Sequence, residues 1–103
     1  MCAAIDDTTG NVLVAPERLV ASTRADFRTA ALAHLERLQP ADGALAIDMR
    51  QTVELDASGL GILVLLQKRA KDRGLSTSLR RAPERVRNLL KLTMLDFLFE
   101  LID

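Results

Sequence analysis

Cysteine is nearly absent from this 103-residue chain, where Cys2 stands alone beside the first methionine. One thiol closes no internal disulfide, and a reducing cytoplasm is the expected compartment. Histidine is as scarce. His34 is the one imidazole, and with a single cysteine there is nothing from which to assemble a metal centre. It stands seven residues after Phe27, beside an apolar stripe, and reads as a structural or surface residue. Net charge is missing too: 14 Lys and Arg cancel 14 Asp and Glu, so no overall field draws the chain to nucleic acid or to a membrane surface. The longest unbroken apolar run, residues 62–66, is far short of the ~20 residues that span a bilayer. The N-terminus lacks the charged-then-apolar pattern of a secretory signal. No glycine-rich phosphate loop, cofactor pattern or suggestively spaced carboxylate pair is present, which leaves little for an enzyme to work with.

What the chain does have is apolar content, 49% of its residues, enough for one compact domain over 1–103 and too short for a second core. Its charge is unevenly spread. Residues 1–66 hold five Lys/Arg against nine Asp/Glu, whereas 67–91 hold nine against two. Lys68, Arg69, Lys71 and Arg73 within that basic block read as the solvated end of one helix, favourably placed at its negative pole, with a docking face as the alternative.

In chain order, Val12-Leu13-Val14 predicts a short strand behind the polar lead-in 6–11, ended by Pro16, and Leu19-Val20-Ala21 a second. Thr23 and Asp26 have the spacing of a capping box, and Phe27, Ala30, Ala31, Leu35 and Leu38 then recur at helical spacing until Pro40 and Gly43. The nearly continuous apolar run Ala44-Leu45-Ala46-Ile47-Asp48-Met49 is too short for a helix and predicts a strand buried on both faces, with Asp48 near its carboxyl end. After the loop 50–55, a second helix begins within the motif 56–61 and runs to Gly74, a residue suited to the left-handed position past a helix end. Leu75-Ser76-Thr77-Ser78-Leu79 is the next strand. Pro83-Glu84 then opens a third helix, with Val86, Leu89 and Leu90 inward. The tail 94–102 fits both a short helix and an alternating strand, and helix is the expectation. Strands separated by helices imply parallel pairing in an α/β fold, and in such sheets sites gather beyond the carboxyl ends of the strands.

At that end lies Asp56-Ala57-Ser58-Gly59-Leu60-Gly61, an acidic loop and a small hydroxyl residue running into the apolar block 62–66. The pattern is that of a helix N-terminus in which Asp56 or Ser58 caps free N–H groups and Ser58 is exposed. Gly59 and Gly61 remove side chains, so that another chain or a phosphate can approach the backbone. A plain helix cap would give the same pattern. A serine nucleophile needs a base within reach, and the one histidine belongs to the middle of another helix, so the chain reads as non-catalytic.

The chain resembles the STAS domains, small modules of alternating strands and helices that include the bacterial anti-sigma factor antagonists. The resemblance covers roughly residues 10–102 and rests on three stretches: Leu45-Ala46-Ile47-Asp48-Met49, the Leu55–Gly61 motif with its helix ending at Arg73-Gly74, and residues 86–93 followed by Leu95-Asp96-Phe97-Leu98-Phe99. The chain departs from the family at Glu17-Arg18-Leu19-Val20, where Gly-x-Leu-Asp is common. The resemblance implies a single mixed, mostly parallel sheet with helices packed on it. It implies a regulatory module without cofactor that binds an anti-sigma factor with serine-kinase activity through residues 56–61, as monomer or weak dimer. Phosphorylation at Ser58 would then switch it off, with a phosphatase acting on Ser58 as a further partner. Two other family roles stay open: the subunit of a lipid-transport ATPase, and a stressosome- or chemotaxis-linked module phosphorylated on a threonine, for which Thr52 is the nearby candidate. As a purely structural module the chain would use Met94, Leu95, Phe97, Leu98 and Phe99 as a dimer face, but core packing of that tail is expected because a small domain needs its apolar side chains.

Overall fold

Residues 5–6 and 12–103 are described by the structure, a computed structural model. Cys2 and positions 7–11 of the polar lead-in lie outside the described residues. The central strand is β4 (Ala44–Asp48), paired in parallel with β2 (Val12–Val14) on one side and β6 (Ser76–Arg80) on the other. β7 (Glu100–Ile102) extends the sheet in parallel beyond β6, and β1 (Ile5–Asp6) closes the other edge antiparallel to β2. A separate two-stranded parallel pair, β3 (Arg18–Leu19) with β5 (Glu54–Leu55), sets Leu19 opposite Leu55. Among the described residues three α-helices complete the α/β fold: α1 (Arg24–Glu36), α2 (Ala57–Asp72) and α3 (Glu84–Leu92).

Residues in register share a face of the sheet, so Leu13, Ile47 and Leu79 form one fully buried row across three strands. Onto it pack Phe27, Ala31 and Leu35 of α1, Leu60, Leu63 and Leu66 of α2, and Val86 and Leu90 of α3. Each large apolar side chain removed from water contributes about 1.5–3 kcal/mol, and this layer therefore holds the helices to the sheet. β4 is buried on both faces, as its apolar run predicts, and its reverse face carries half-buried Ala44 with buried Ala46 and Asp48. A buried carboxylate needs partners. Asp48 has two: it accepts from Arg81 Nη2 at 2.6 Å and from the Arg50 N–H at 2.8 Å.

Several local expectations are corrected by packing. The strand expected at 19–21 lies at Arg18–Leu19. Helix α1 starts one residue after Thr23, but no capping box forms, because the Thr23 hydroxyl donates to the Arg18 carbonyl at 2.7 Å and accepts from the Val20 N–H at 3.0 Å. A hydroxyl held by the preceding turn cannot cap the helix that follows. The tail is not the expected helix. The left-handed residue Met94 (φ 60°) breaks it after α3, a 3-10 turn follows at Asp96–Leu98, and β7 then uses the open edge of β6. Phe99 is buried in the core, but Met94 and Phe97 are 76% and 79% exposed, so the tail packs only in part. Leu89, expected inward, is half-buried.

At the other end of α2, Gly74 takes the left-handed conformation (φ 76°) that its position predicts. Lys68, Arg69 and Lys71 are exposed, while the Arg73 guanidinium donates to the Leu38 carbonyl at 2.8 Å and ties the exit of α1 to the end of α2. No helix among the described residues is long and apolar enough to cross a membrane.

Candidate functional site

The site is built at the junction of β5 and α2. Asp56 has extended backbone (φ −111°, ψ −173°), and its side chain turns back to accept from the Gly59 N–H at 2.9 Å, the geometry of a helix N-cap. Its second oxygen accepts from the Ala21 N–H at 3.1 Å, and its own N–H reaches the Leu19 carbonyl at 3.4 Å. One carboxylate thus joins the start of α2 to the loop between β3 and α1. The Gly59 N–H, aided by that of Ala21, holds the Asp56 carboxyl below its ordinary value of 3.8 against the opposing pull of burial. A carboxyl with a depressed folded value stabilises the fold fully above its unfolded pKa and loses that contribution as pH falls through the folded one. Asp56→Asn should therefore show a smaller fall in melting temperature than wild type as the pH is lowered from neutrality to below 3.8, measured by thermal circular dichroism.

The two glycines do different work. A Cβ on Gly59 would stand 2.0 Å from the Leu19 carbonyl oxygen, so the close approach that the sequence reserves for a partner is taken by the protein's own β3. On Gly61 a Cβ would meet nothing within 4 Å. Leu60 faces the core, and Ala57 is exposed. Ser58, expected to be exposed, is half-buried. Its hydroxyl makes no hydrogen bond among the described residues.

Ser58, Gly61, Ile62 and Leu65 recur at helical spacing and form one wall of a groove of about 690 Å³ between α2 and α1. Arg24 and Arg28, one turn apart on α1, form the other wall with Ala25 and Thr29. No histidine or carboxylate lines it, so nothing there would take a proton from Ser58. His34 is buried within α1, away from the groove, and no group of three His, Cys, Asp or Glu among the described residues could hold a metal ion. The groove offers the Ser58 hydroxyl, an apolar wall and two cations, while the Thr29 hydroxyl is engaged by the Ala25 carbonyl. Those are the elements of a contact surface.

The profile of the family described as "Mlab, STAS domain" matches residues 6–102. The chain belongs to the STAS domain family. A solved structure from Thermotoga maritima, of a protein named as an anti-sigma factor antagonist, shares the fold with a TM-score of 0.74 over 96% of this chain and 82% of that one, at 21% identity. Among curated proteins, none is significantly similar in sequence.

In this STAS domain the two hydroxyls considered as phosphoacceptors differ sharply. Thr52 is fully buried, and its Oγ1 donates to the Pro16 carbonyl at 2.8 Å. Ser58 opens on the groove. Asp48 does not join the site, since Arg81 and Arg50 occupy its carboxylate on the sheet's reverse face. Sequence reasoning missed the Leu19 carbonyl, a backbone atom that no residue pattern reports. It also missed Arg24 and Arg28, because the periodicity argument followed only the buried stripe of α1. A signal was present: like charges at i and i+4 disfavour a helix by a few tenths of a kcal/mol, so such a pair asks for an external reason.

Proposed function

We propose that this STAS domain is an anti-sigma factor antagonist that binds an anti-sigma factor with serine-kinase activity and is released when Ser58 is phosphorylated. One observation carries the reading: Asp56 does the capping, which leaves the Ser58 hydroxyl free in the wall of the groove. In the transfer the bond from Ser58 Oγ to phosphorus forms as the bond to ADP breaks, and the hydroxyl proton passes to a base of the kinase, since this chain offers none in the groove. The unmodified surface of Ala57, Ser58 and Gly61 with the apolar wall is the partner's contact, while Asp56, Gly59 and Leu60 shape it from within. The product carries about −1.5 to −2 charges. The helix pole offsets only about 0.3–1 kcal/mol of that, whereas a dianion set into a contact made for a neutral hydroxyl must be desolvated against the partner at a cost of several, so release follows with little change in fold. A phosphatase acting on Ser58 would restore binding, and the cytoplasm supplies the kinase and its ATP.

The test is to incubate wild type, Ser58→Ala and Thr52→Val with ATP and the ATPase-type anti-sigma factor encoded nearest this gene, and to map phosphate by mass spectrometry. Phosphate is expected on Ser58 in wild type and in Thr52→Val, and none in Ser58→Ala. Phosphate on Thr52 would move the function to the stressosome-linked role. Binding that ignores the state of residue 58 would favour the lipid-transport role.

A further inference from the structure

Arg24 and Arg28 are exposed and line the groove together with Ser58, and their guanidinium groups make no hydrogen bond or ion pair among the described residues. The carboxylates nearest in sequence do not serve them. Asp26 faces a different hollow, beside Phe27 and Thr23, and Asp56 is engaged by the backbone of Gly59 and Ala21. Two like charges one turn apart, both uncompensated, thus face the hydroxyl from the neighbouring helix. We propose that Arg24 and Arg28 are the binding site, within the same chain, for a phosphate carried on Ser58. The inference rests on Ser58 being the phosphoacceptor and adds where the phosphate goes.

The chemistry fits on both sides. A phosphoserine dianion presents three acceptor oxygens, and guanidinium groups match them with paired N–H donors. Asp56, at the same helix start, repels the dianion, and the two arginines offset that repulsion. With the phosphate seated, the groove between Ser58 and the two arginines is filled and both guanidiniums are withdrawn from any partner. The phosphorylated surface then differs from the free one in shape as well as in charge.

The test installs phosphoserine at position 58 by genetic incorporation, which needs no kinase, and titrates it by phosphorus NMR. In the otherwise wild-type chain the second phosphate pKa, ordinarily ~6, should lie ~0.5–1 unit below its value in Arg24→Gln/Arg28→Gln. The difference should shrink at high salt, as for any exposed pair. Arg24→Lys/Arg28→Lys should keep most of the lowering. Lys68→Gln/Lys71→Gln, which removes the same charge at the far end of α2, should leave the value where it is. Equal values in the wild-type and Arg→Gln backgrounds, or an equal rise from the distant lysine pair, would overturn the assignment. Failure of the kinase to label Ser58, with the titration as expected, would sink the functional reading and leave the phosphate site standing.

Discussion

Gly59→Ala should lower the melting temperature by ~12–24 °C. An added Cβ would lie 2.0 Å from the Leu19 carbonyl oxygen and 2.7 Å from Leu55 Cδ1. The carbonyl is backbone and cannot rotate away; either β3 or the first turn of α2 must shift. Either movement also disturbs the bonds that Asp56 makes to Gly59 and to Ala21. Overpacking of this kind costs about 3 kcal/mol at the upper end of its usual range, and each kcal/mol shifts the midpoint by about 4–8 °C in a domain of this size. Gly61→Ala is the control. Its Cβ meets nothing within 4 Å, and alanine is the better helix former by about 0.5–1 kcal/mol, so its melting temperature should hold or rise. Thermal unfolding followed by circular dichroism separates the two, and a Gly59→Ala protein as stable as wild type would refute the fit of β3 against α2.

Ser58→Asp should bind the anti-sigma factor more than a hundredfold more weakly than wild type, while Ser58→Ala binds at least as well and no longer responds to ATP. A loss of about 3 kcal/mol corresponds to that factor. It is the expected scale for desolvating a carboxylate in a contact made for a neutral hydroxyl, of which exposed pairing with Arg24 and Arg28 offsets at most about 1 kcal/mol. The fold should not register the change, because Ser58 is half-buried at a groove and makes no hydrogen bond among the described residues. Calorimetric titration of the three proteins measures the affinities, and their melting temperatures should agree within a few degrees. A Ser58→Asp protein that binds as tightly as wild type would remove residue 58 from the contact.

The amino-acid order by itself determined the helices, the buried central strand and the place of the motif. Hydrophobic periodicity and chain punctuation are local properties, and residues such as Gly74 and the run 44–49 state them directly. The start of α2 was legible for the same reason, since an aspartate three residues before a glycine at a helix start is a local device. Only the tertiary structure decided how the site is assembled. Whether the bareness of Gly59 serves a partner or β3, whether Thr23 caps a helix or closes a turn, and whether the tail coils or pairs with β6 all depend on atoms far away in sequence. The groove is the clearest case. Ser58 lies in α2 and Arg24 and Arg28 in α1, some thirty positions earlier, and the face they share exists only once both helices pack on the same sheet. Periodicity identifies the face a helix buries, but the neighbour of its exposed face is set by packing between elements.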